Sequence, residues 1–135
     1  MFFRSAFFGC MTQDQRIVYT SILKCYILGS DIINLPDGLS FLGTIFHILP
    51  KVARKNILNV LFTKLTMIKA EGDYCENFVL ALSEMITKVY VVIERNEQEK
   101  LVNIFMSFKN RDQLDSKVIE IIDLTLFRIR KDYGG

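Results

Sequence analysis

At 135 residues the chain is one domain in size, with half its residues apolar, a quarter charged and a net charge of +2. That apolar share supports a buried core without disulfide or metal staples and excludes disorder over most of the length. The small net charge makes no case for nucleic acid by itself, and no run of about 18 apolar residues is present to cross a membrane.

The expected organisation is a short aromatic arm, residues 1–11, followed by one all-α domain, residues 12–132. Helix is favoured because Lys51 to Asp132 contains no proline and a single glycine, Gly72. Those residues cost a helix interior about 3 and about 1 kcal/mol respectively. In chain order, Thr12 with Gln15 predicts a capping box opening the first helix. Ile17, Val18, Ile22, Cys25 and Tyr26 form its apolar stripe, and Gly29 and Ser30 end it. Asp31 to Gly38, with Pro36, is a connector with a turn. Leu39, Leu42, Ile45, Phe46 and Leu49 mark a second helix, weakened by Gly43. Pro50 stops it and opens the third, Lys51 to Ala70, with the stripe Ile57, Leu58, Leu61, Leu65 and Ile68.

Asp73 is the expected cap of a fourth helix carrying Phe78, Leu82, Met85, Ile86, Val89 and Ile93. This helix is apolar nearly all round, which makes it the core helix, with Glu84 and Lys88 on its wet face. The β-branched end, Val89 to Ile93, is the one place where a strand competes. Asn96 is the expected cap of a fifth helix with Leu101, Ile104, Phe105 and Phe108. Asp115 or Ser116 opens a sixth with Val118, Ile121, Ile122 and Ile129, broadened by Leu126 and Phe127. Short connections predict about six antiparallel helices in a compact bundle. The run NEQEKLVNIFMSFKN, the break RDQLD and the run SKVIEIIDLTLFRIRK together resemble a HEAT or armadillo unit. That resemblance covers about half the chain and implies a short, irregular stack of helical hairpins.

Residues able to carry chemistry are few. His47 is the only histidine, and it lies in an apolar stretch with no Asp, Glu, Cys or Ser at partnering spacing. Cys10, Cys25 and Cys75 form no C-x-x-C pair, so metal ligation is not expected and reduced, mostly buried thiols are. Glu97 with Glu99, and Asp112 with Asp115, stand where acids cap helices. No phosphate-binding glycine motif occurs. The expectation is therefore a protein that is not an enzyme and needs no cofactor or metal.

Two surface signals remain. Residues 1–70 carry eight Lys/Arg against three acids, and residues 71–135 carry nine against twelve. Within the basic half, Lys51, Arg54, Lys55, Lys64 and Lys69 meet no acid between Asp37 and Glu71. A solvated helix face is the ordinary reading of such a set, and an acidic partner is the functional one. Phe2, Phe3, Phe7 and Phe8 open the chain; they pack on their own core or face a partner, a second copy or a membrane surface. The functional expectation is an intracellular adaptor or scaffold module, cytoplasmic or nuclear. It takes a partner peptide or helix in an inter-helix groove, with Phe3, Phe7, Lys51, Arg54 and Lys55 as partner-binding residues and homodimerisation as a further option. The alternatives are a Bcl-2-like regulator with one apolar groove and, behind it, a weak nucleic-acid-binding domain.

Overall fold

The computed structural model describes residues 11–68, 75–111 and 114–133. Among them the chain is 85% helical, with six α-helices and no strand. They are α1 (Gln13–Gly29), α2 (Leu35–Ile45), α3 (Lys51–Met67), α4 (Cys75–Val89), α5 (Arg95–Arg111) and α6 (Ser116–Tyr133), with a 3₁₀ turn at Phe46–Ile48.

Local chemistry sets most helix ends. Thr12 Oγ1 accepts the Gln15 N–H at 3.2 Å, and Gln15 Oε1 accepts the Thr12 N–H at 2.9 Å. This reciprocal cap satisfies two of the donors that a helix start leaves open. Asp31 Oδ1 accepts the N–H groups of Ile33 and Asn34, turning the chain before α2. The turn is shorter than Pro36 and Gly38 suggest, because both lie inside α2. Pro36 occupies its first turn, where no N–H is required. Pro50 is the N-cap of α3, and Asp115 caps α6 by accepting the Val118 N–H at 3.0 Å. The cap of α5 is Glu94 rather than Asn96: Glu97 Oε1 accepts the Glu94 N–H at 3.0 Å. The expected cap Asp73, the closing Gly72 and the N-terminal phenylalanines lie outside the described residues.

α4 ends at Val89, four residues before its apolar run does. Tyr90 to Ile93 are turn and bend, neither helix nor strand. The β-branched Val91, Val92 and Ile93 crowd a helix at χ1, and the cap at Glu94 starts the next one immediately after them.

The helices pack chiefly with alternate neighbours. α2 lies most extensively on α4, α1 on α3, and α4 on α6, with smaller contacts from α1 to α2, α5 to α6 and α3 to α5. Odd helices thus meet odd and even meet even, in two layers. Sequence neighbours share smaller contacts, because the apolar faces match better one helix further on. Gly43 explains the close fit of α2 on α4. A Cβ there would stand 3.2 Å from Met85 Cα, so the glycine lets the two backbones approach.

α4 is the core helix, as its pattern predicts: nine of its fifteen residues are buried. Leu82, Met85, Ile86, Val89, Leu61 and Ile122 are fully buried. Phe78 meets Phe108 of α5 edge-on with ring centroids 5.8 Å apart. Each such side chain contributes about 1.5–3 kcal/mol through burial.

The first helix is turned away from most of its expected stripe, although Tyr26 of that stripe is half-buried against the core. Val18 is 63% exposed and Ile22 54%, and Ile17 and Cys25 are exposed too, whereas Leu23 and Ile27 have no exposure at all. Thr20 shares the inner face because its hydroxyl donates to Arg16 O at 2.6 Å and so enters the core without an unmet hydrogen bond. Counting apolar residues alone favours the outer face by treating Thr20 as polar. Phe127 is a second reversal. It does not broaden the buried stripe of α6 but is 66% exposed.

Candidate functional site

Besides an opening of about 380 Å³ between α5 and α6, two concave features stand on this frame. The first is a small cleft where α3 begins. The sequence-selected Lys51, Arg54 and Lys55 all line it, with Phe46, Leu58, Val92, Ile93, Glu94 and Glu97, around a volume of about 50 Å³. The chain reaches it from two directions. Pro50 releases α3 with Lys51, Arg54 and Lys55 on one side of its first turns, and the short end of α4 brings Val92 to Glu94 across from them. Lys55 Nζ stands 3.7 Å from Glu94 Oε1, both side chains about half exposed. An exposed pair of that length contributes at most about 1 kcal/mol. Arg54 is half-buried, and its Nε is shut off from solvent with no hydrogen-bond partner.

Lys64 does not join this cluster. Lys64 Nζ donates to Leu28 O at 2.9 Å, answering a carbonyl at the end of α1. Lys69, Phe3 and Phe7 lie outside the described residues. His47 is exposed in the 3₁₀ turn. Among the described residues no group of three or more His, Cys, Asp or Glu could hold a metal ion, and no helix is long and apolar enough to cross a membrane. Cys25 and Cys75 stand outside any disulfide, Cys75 buried and Cys25 exposed, and Cys10 lies outside the described residues.

The second feature is larger and was not selected from the sequence. An open groove of about 390 Å³ runs between α4 and α6. Leu80 and Thr87 of α4 and Ile121 and Leu124 of α6 line it, with Ser83 and Thr125 buried between the helices. Glu84, Lys88 and Arg128 stand on its rim. Ser83 Oγ and Thr125 Oγ1 lie 2.6 Å apart, and Thr125 Oγ1 donates its one proton to Ile121 O at 2.8 Å. Ser83 must therefore be the donor between the two hydroxyls. Lys117 Nζ and Glu76 Oε1, 3.1 Å apart, tie the same two helices together. Leu80 and Leu124 keep 42% and 59% of their surface exposed on facing walls. The signal in sequence was Leu80 sharing a helix face with Glu84 and Lys88, an apolar residue on a wet surface. It points to a groove only once α6 is known to lie alongside.

Comparison with models of protein families, with curated proteins and with solved structures finds no match to this chain.

Proposed function

We propose that this chain is a non-enzymatic helical interaction module whose α4–α6 groove holds an amphipathic helix of a partner protein. The supporting observation is the groove itself, with exposed leucines on walls that belong to well-packed helices. Its lining spans Leu80 to Lys88 on α4 and Ile121 to Arg128 on α6. At about 1.5 Å per residue that is roughly two helical turns, room for two or three anchoring side chains at i, i+3 or i+4 spacing. The rim carries two cations, Lys88 and Arg128, and one acid, Glu84. A partner with acidic residues flanking its apolar anchors is the complementary one.

The two layers of helices favour a short, irregular stack of hairpins of the HEAT or armadillo kind, α1 with α2 and α5 with α6 being hairpins in contact. Grooves between stacked helices are the usual binding surfaces of such stacks. An intracellular setting accords with Cys25 and Cys75 standing outside any disulfide.

The test is selection of displayed helical peptides on the wild-type chain, followed by affinity measurements on Leu80→Lys and Leu124→Glu. Both positions are exposed, so neither change should unfold the protein. Selected peptides should share the apolar spacing with flanking acids and lose about tenfold or more in affinity on either variant. Peptides that bind both variants unchanged would exclude the groove, as would failure to select any.

A further inference from the structure

We propose that the cleft at the start of α3 is a binding site for a phosphate monoester or inorganic phosphate, with Arg54 and Lys51 as its principal ligands and Lys55 as the third cation. The site is separate from the α4–α6 groove and does not depend on its function.

The first turn of α3 has no acidic residue, and its N-cap, Pro50, supplies no side-chain hydrogen bond. A helix start with open N–H groups and a positive dipole end favours negative charge. This chain places Lys51, Arg54 and Lys55 there instead, so like charge gathers at the positive end. The carboxylates opposite neutralise it only in part. Glu94 reaches only Lys55, at 3.7 Å, and Glu97 Oε1 is engaged by the Glu94 N–H. Three cations face two carboxylates, leaving the cleft one positive charge in excess before the helix end is counted.

Arg54 points to a ligand independently. A guanidinium Nε shut off from solvent without a partner is costly to keep, since it has given up its hydrogen bond to water and gained none in return. An oxyanion in the cleft lets the guanidinium turn and present Nε and Nη along one edge, the paired geometry that arginine offers to phosphate. The volume of about 50 Å³ admits a group of a few heavy atoms and no more. Phe46, Leu58, Val92 and Ile93 wall it, which strengthens charge attraction by limiting water. A dianion answers both unengaged cations, whereas a single carboxylate, as Glu94 shows, answers one.

Amide and arginine side-chain NMR resonances of the full chain would be followed during titration with sodium phosphate, with chloride adjusted to constant ionic strength. A parallel titration would use a phosphoserine tripeptide and its unphosphorylated form. Phosphate or phosphopeptide should shift the Lys51 to Lys55 amides and Arg54 Hε saturably. Lys51→Gln, at an exposed position, and Arg54→Gln should each weaken binding about tenfold or more, the loss of one charge-assisted hydrogen bond. Tighter binding of the phosphopeptide than of phosphate would identify a phosphorylated side chain as the source; the reverse would identify the free ion. Non-saturable shifts, shifts centred elsewhere, or titrations unchanged in Lys51→Gln would overturn the proposal.

Discussion

Ser83 and Thr125 carry opposite hydrogen-bonding duties although they stand 2.6 Å apart. Thr125 is held by the Ile121 carbonyl, so its oxygen is left to accept from Ser83. Thr125→Val should destabilise the fold by about 1–3 kcal/mol because it strips a buried donor of its acceptor. The double variant Ser83→Ala/Thr125→Val should recover part of that loss, and urea unfolding of the singles and the pair would measure the coupling. Tyr26 makes a second residue-scale case. Its hydroxyl donates to Asn34 O at 3.1 Å. Burial, and then the Asp37 carboxylate, hold its pKa above the ordinary 10.0. Folding therefore favours the neutral phenol. The resulting stabilisation is complete below pH 10.0 and is lost as pH rises through the higher folded value. Tyr26→Phe should show a shallower alkaline loss of stability than wild type, read from urea midpoints at successive pH values; parallel curves would contradict the assignment.

At the scale of the helix, α1 shows how an apolar pattern can fit two faces. Ile17, Val18 and Ile22 fall on one side and Leu23 and Ile27 on the other, all at helical spacing. Burial of the second set makes a direct prediction. Leu23→Ala should cost about 2–5 kcal/mol, the range for emptying a core site. Ile22→Lys, one residue away, should change stability by no more than about 0.5 kcal/mol. Thermal and urea unfolding of the two variants would check this, and a large loss from Ile22→Lys would return the helix to its other face. The end of α4 follows a different logic. Its apolar run continues to Ile93, but the cap made by Glu94 and Glu97 starts α5 within the same few residues. A helix start satisfied by its own side chain outcompetes further turns of a β-branched run. That early stop carries Val92, Ile93 and Glu94 to the α3 cleft.

For the whole molecule, α4 is the centre on which α2 and α6 both pack. Ile86 is fully buried on it. Ile86→Ala should lower stability by about 2–5 kcal/mol. Far-UV circular dichroism during denaturation should show all helices lost together, as one shared core requires. A loss below about 1 kcal/mol would place Ile86 outside the core. The arrangement also separates the two candidate surfaces. The groove lies between even-numbered helices, while the basic cleft opens at α3, in the odd-numbered layer.

The helical class, the existence of all six helices and the starts of α1, α3 and α6 were legible in the residues alone. Such features are local: Thr12 and Gln15 cap each other within one turn, Pro50 can only begin a helix, and Asp115 needs just the N–H three residues on. The core stripe of α4 was legible because it is apolar nearly all round, leaving little choice of face. The gathering of Lys51, Arg54 and Lys55 was equally visible as helical spacing. Tertiary structure alone decided which side of α1 is buried, that Phe127 faces solvent, and that Leu80 and Leu124 confront each other across a groove. It also decided that Glu94 stands against Lys55. Each of these depends on which helix lies alongside another dozens of residues away. That choice follows from matching whole faces, down to Gly43 admitting Met85, and spacing within a single helix carries no record of it.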